Sequence, residues 1–146
     1  IREMRDHLQA RLLQELPHVY VTAADGPRVP NTLHMLMHFV EGEGLLLKLS
    51  LNHGIAISTG SACTSGTLEP SHVLSAMGIA KQLGNSGLRI SLGRGNTMEQ
   101  MDLAAAAIAR EVAVLREMSP LYDAYQRGTM TAQDRGMYES WTSTPA

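Results

Sequence analysis

The chain has 146 residues, 44% of them hydrophobic, 18% charged and 4% aromatic, with a formal net charge of -2, which is enough for one domain with a real core and too little for two of ordinary size. The weak charge and scarce aromatics leave no basic stripe or stacking platform for nucleic acid, and no apolar run approaches the roughly 20 residues of a membrane span. A lone cysteine, Cys63, rules out an internal disulfide and fits a reducing, cytoplasmic setting.

The chain enters at Ile1 directly into a helical pattern, which places any targeting segment upstream and points to a larger parent chain. Ile1, Met4, Leu8, Leu12 and Leu16 recur at helical spacing until Pro17, predicting an amphipathic first helix. His18 to Thr22 reads as a short strand, followed by a turn through Ala24, Asp25, Gly26 and Pro27. From Leu33 the pattern alternates, with Leu33, Met35, Met37 and Phe39 expected on one face of a strand and His34, Leu36, His38 and Val40 on the other.

Glu43 to Asn52 is a leucine-rich helix that Gly54 should close in a left-handed turn. Ile55 to Ser58 is a small-residue strand end, and Thr59 to Thr67 is a run of Gly, Ser, Thr and Ala around Cys63, expected to be a mobile loop. Pro70 and Gly78 bracket a short helix over Ser71 to Met77. Leu88, Ile90 and Leu92 alternate with Arg89 and Ser91, so Arg89 should lie on a strand and point away from the core. Thr97 and Gln100 have capping-box spacing ahead of a long helix that runs towards Pro120. Residues 126 to 146 lose the pattern and are expected to form a flexible tail behind a domain over 1 to 125. The elements lack regular strand-helix alternation, so the expected class is α+β, a small mostly antiparallel sheet with helices packed on one face.

The small polar neighbours of Cys63 leave its thiol uncovered, whereas a bland free cysteine is usually buried among aliphatic residues. Composition alone leaves both a reactive thiol and an inert loop thiol open. His34 and His38 share a strand face without further ligands, so structural roles are expected and no metal site is assigned.

The run Ser-Gly-Ser-Ala-Cys-Thr-Ser, with Thr59 standing for its commoner first Ser, followed by Leu68-Glu69-Pro70-Ser71-His72-Val73-Leu74, resembles the active-site loop of NifS/IscS-type cysteine desulfurases. Further matches lie at Pro30-Asn31, Val40-Glu41-Gly42-Glu43, Leu88 to Arg94 and Leu115 to Leu121, so the resemblance runs in order over residues 1 to 125. It implies the C-terminal small domain of a fold-type I pyridoxal-phosphate enzyme, with a cysteine loop over 58 to 70. It also implies that Cys63 takes sulfur from L-cysteine held on pyridoxal phosphate, leaving L-alanine and a persulfide, and that Arg89 pairs with the substrate carboxylate through its planar fork.

The family's Schiff-base lysine stands in a Ser/Thr-His-Lys context that neither Lys48 nor Lys81 shares. The resemblance therefore places cofactor binding in a preceding large domain, implies a homodimer through that domain, and implies no desulfurase activity for this chain alone. The acceptor would be an iron-sulfur scaffold protein or a thiolation protein. A separate sulfur-relay or scaffold-binding subunit is the alternative, and a transaminase-like domain with an incidental cysteine is a third reading.

Overall fold

The computed structural model describes residues 1–59 and 71–143. It forms one antiparallel sheet from β1 (Val19–Val21), β2 (Thr32–Met37), β3 (Ser58–Thr59) and β4 (Gly87–Ser91), in the spatial order β1-β2-β4-β3. Three helices, α1 (Arg2–Glu15), α2 (Gly42–His53) and α5 (Met98–Glu117), share one core with that sheet. Between them in sequence lie the short α3 (His72–Ala76) and α4 (Lys81–Gly84), and α6 (Pro120–Arg127) and α7 (Ala132–Ser140) follow. The expected α+β class, with the long helices on one face, describes this arrangement.

The main core explains why these segments become helices and strands. Leu8 and Leu12 of α1, Leu45 and Leu49 of α2, and Ala105, Ile108 and Val112 of α5 meet Leu33, Met35 and Met37 of β2 and Leu88 of β4, all nearly inaccessible to solvent. Each large side chain buried this way contributes about 1.5 to 3 kcal/mol. The Thr97 hydroxyl accepts from Gln100 N at 3.2 Å and the Gln100 side chain accepts from Thr97 N at 3.2 Å, so the anticipated capping box starts α5. Gly54 closes α2 with φ 65°.

Three expectations change. First, the alternation of β2 stops at Met37, because Phe39 adopts φ 68° and turns the chain over. Phe39 therefore joins Leu36 on the second face and Val40 joins the main core, the reverse of the faces expected. Second, that second face is not bare: Leu36, Phe39, Leu74, Ile79, Leu83 and Tyr138 form a smaller core there.

Third, the expected flexible tail over 126 to 146 contains α7, capped by Thr131 at Asp134 N, and Tyr138 from it is only 5% exposed. Ser143 then donates to Val19 O at 2.7 Å and its hydroxyl accepts from Val21 N at 3.0 Å, tying the segment to the outer edge of β1. The aromatic groups of Tyr138 and Trp141 supply apolar area that a short, irregularly spaced pattern concealed.

Candidate functional site

The second face of the sheet carries a lateral row of polar side chains. Register pairs His34 with Arg89 and Arg89 with Ser58, so β2, β4 and β3 present His34, Arg89 and Ser58 side by side. Side chains opposite one another in an antiparallel pair stand about 4.5 to 5.5 Å apart at Cβ. Arg89 is exposed, as its alternation predicts, and among the described residues no carboxylate lies within ion-pair distance of it. An exposed guanidinium without such a partner is a ready fork for a carboxylate.

His34 is fixed beside it. The Thr22 hydroxyl donates to His34 O at 3.2 Å and lies 3.0 Å from His34 Nδ1. The hydroxyl has a single hydrogen, so which group donates in the Nδ1 contact depends on the ring tautomer, and in either case Nδ1 is held beside Thr22. The ring lies over Gly87: a Cβ there would come within 3.2 Å of His34 Nε2 and 3.1 Å of Gly84 O. Burial, and then the positive charge of Arg89, holds the His34 imidazole below its ordinary pKa, so it is neutral near pH 7.

A second close approach anchors the root of the segment that follows β3. A Cβ at Gly42 would meet Asn85 O at 3.0 Å, Gly87 O at 3.1 Å and Thr59 Cγ2 at 3.3 Å, and Gly42 N donates to Asn85 O at 3.0 Å. Only glycine lets the start of α2 press so closely on the start of β4 and on Thr59. Thr59 itself is buried.

Cys63, the expected thiol, and most of the expected loop lie outside the described residues. His34 and His38, considered together as a metal pair, point to different partners: His34 bonds Thr22, and His38 Nε2 donates to Trp141 O at 2.5 Å. Among the described residues no three His, Cys, Asp or Glu side chains gather as a metal set, and no helix is long and apolar enough to cross a membrane. Sequence reading found Arg89 but not its neighbours Thr22 and Gly87. The alternating pattern gave each strand its polar face, yet the register that sets His34 against Arg89 depends on long-range pairing.

Lys48, one of the sequence's two lysines, projects from the helical side of the sheet. Its Nζ is 3.5 Å from Glu111 Oε2, while Glu111 Oε1 accepts from Asn52 at 3.2 Å and lies 2.8 Å from His53 Nε2. The His53 bond, above all, pulls the Glu111 carboxyl below its usual range. The cluster ties α2 to α5 and faces away from Arg89. The other lysine, Lys81, is exposed at the start of α4.

Comparison with known proteins fits this geometry. Residues 1–103 match the family model described as Aminotransferase class-V. The chain is 45% identical over 116 residues to "Cysteine desulfurase IscS" of Pseudomonas entomophila (strain L48), covering 80% of this chain and 28% of that protein. It is 44% identical over 123 residues to a "Cysteine desulfurase" of Enterobacter agglomerans, covering 84% of this chain and 30% of that protein. Among solved structures, a NifS-like protein from Rickettsia africae ESF-5 superposes with a TM-score of 0.63 at 25% identity, covering 77% of this chain and 28% of that one. The chain thus spans less than a third of the length of the relatives it matches.

Proposed function

This chain belongs to the class-V aminotransferase family, and from that premise we propose that it is the part of a cysteine desulfurase which carries the sulfur-accepting thiol, Cys63, and the carboxylate-binding arginine, Arg89. The observation that carries the reading is the Ser58↔Arg89 pairing. A guanidinium with no carboxylate partner among the described residues stands beside the strand that leads, four residues beyond Thr59, to the only thiol in the chain. At roughly 3.3 to 3.6 Å per residue, that connection limits the Cys63 Cα to within about 14 Å of the Thr59 Cα. A cysteine substrate whose carboxylate is held by Arg89 therefore lies within the range that the chain's covalent length allows the thiol.

In the proposed reaction the Cys63 thiolate attacks the sulfur of L-cysteine. The substrate's C–S bond breaks, an S–S bond forms, and the former Cβ gains a proton, so that L-alanine leaves and Cys63 carries a persulfide. Sulfur is oxidised and the substrate carbon reduced, with no outside oxidant. An unperturbed thiol is only about 3% ionised at pH 7, so the attack needs a hydrogen bond, a base or a positive charge at Cys63 to favour the thiolate. The persulfide would then pass to an iron-sulfur scaffold or a thiolation protein.

The family is in general dependent on pyridoxal phosphate. The lysines of this chain do not fit that group, since Lys48 is paired with Glu111 on the helical side and Lys81 stands exposed on α4, neither beside Arg89. We assign the cofactor to the part of a longer protein that this chain does not contain, and expect no alanine release from the chain alone. The test is mass spectrometry of the full-length, cofactor-loaded protein after exposure to L-cysteine. One added sulfur on the Cys63 peptide is expected, with none in Cys63→Ala and a raised KM in Arg89→Ala. Bound cofactor with no sulfur on Cys63 would refute the proposal.

A further inference from the structure

We propose that His34 is a positioning residue for Arg89, a wall that keeps the guanidinium turned towards β3 and the substrate carboxylate. The inference rests on the carboxylate-binding role of Arg89. Three features of the fold converge on it. Register sets His34 directly across from Arg89 on the same face. Thr22 ties Nδ1 at 3.0 Å, so the ring does not rotate freely. Gly87, lacking a side chain, gives the ring its seat, with the imidazole filling the space a Cβ at that position would enter at 3.2 Å.

The consequence for Arg89 is steric and electrostatic. A long arginine side chain has many rotamers and loses affinity for each one that points away from its ligand. The imidazole occupies the volume over Gly87, on the β2 side of β4, into which that side chain would otherwise fold. On the opposite side of Arg89 lies Ser58 of β3. The ring also adds no competing charge, because burial and Arg89 itself keep it neutral. A neutral wall leaves Arg89 as the single positive group of the row, so a carboxylate has one place to settle. Sequence periodicity gave no sign of this, since it offered His34 only a structural role on a strand face shared with His38.

The inference is tested in the full-length, cofactor-loaded protein with L-cysteine as substrate. His34→Ala is expected to raise KM about tenfold while kcat stays within about twofold, the effect of misdirecting one ligand-binding group rather than losing it. Thr22→Val, which frees the ring without removing it, should shift KM in the same direction by less, and the double variant should be no worse than His34→Ala. His34→Gln, which retains bulk and a donor within reach of Thr22, should recover most of the affinity. Cofactor absorbance and the thermal midpoint, measured on each variant, separate this split from general unfolding. An unchanged KM in His34→Ala, with KM raised in Arg89→Ala, would overturn the role of His34 alone. An unchanged KM in Arg89→Ala would overturn the carboxylate reading beneath it.

Discussion

Acid should weaken this fold most of all through His38. It is fully buried; its Nε2 donates to Trp141 O, and its Nδ1 has no partner among the described residues. Burial pushes its imidazole from 6.5 down to about 4, opposed in part by the Trp141 bond and aided by lesser contributions from the positive charges of Arg116 and His18. As the unfolded chain binds the proton first, the stability that neutral His38 permits is fully present above pH 6.5 and is lost as pH falls from there towards 4. At 1.36 kcal/mol per unit, the whole window amounts to about 3 kcal/mol, of which about 2 kcal/mol is lost by pH 5. For a domain of ordinary stability that is a large share of the total.

The assay is urea unfolding of the chain at pH 7.5 and at pH 5, for the wild type and for His38→Gln, whose amide nitrogen can replace Nε2 as donor without titrating. The wild type should lose about 2 kcal/mol more than the variant across that interval. The neighbouring His18 and the more distant His34 are also held below their ordinary pKa by burial and steepen the slope in both proteins, so the difference isolates His38. Equal losses would refute the assignment.

Further outcomes follow from single contacts. Gly42→Ala should destabilise by about 1 to 3 kcal/mol, because the new methyl meets two backbone carbonyls and Thr59 rather than a flexible side chain; an unchanged thermal midpoint would count against that junction. Arg116, buried, donates from Nε to His38 O at 3.1 Å and from Nη2 to His18 O at 3.0 Å. Arg116→Met should cost about 2 kcal/mol in urea unfolding, since the loss of donors to two carbonyls outweighs the relief of a buried charge. Thr97→Ala removes the cap of α5 and should cost about 1 kcal/mol, with helical circular dichroism otherwise retained.

Local signals read well from sequence where one periodicity held over several turns. The leucines of α1 and α2, the box at Thr97 and Gln100, the left-handed turn at Gly54 and the outward face of Arg89 all depend on neighbours within a few residues. The α+β class followed from their order. The inversion at Phe39 did not show, because a non-glycine residue at φ 68° carries no local signature; the turn is held by His38 N donating to His18 O and by Arg116 clasping two carbonyls from a distant helix. The α7 segment was missed for a related reason. Its anchors are Tyr138 and Trp141 in a core whose other members, Leu36, Phe39 and Leu74, lie far away in sequence. At the candidate site Arg89 was legible through family motifs, whereas His34 acquires its place only when β2 and β4 pair.

The bonds of Ser143 to Val19 and Val21 have a consequence for how the protein behaves in concentrated solution. β1 is the outermost strand on its side of the sheet, and a strand there with bare amides and carbonyls is a template onto which another chain can add. Ser143 occupies that position from within the same chain, as a latch on the exposed seam. Chains cut back ahead of Trp141 would lose both the latch and the aromatic plug beside Tyr20, where the two rings meet edge to face at 5.1 Å. Self-association through β1, rising with concentration and visible by light scattering, is the behaviour expected of such a truncation, so solubility here is guarded by a few residues at the far end of the sequence.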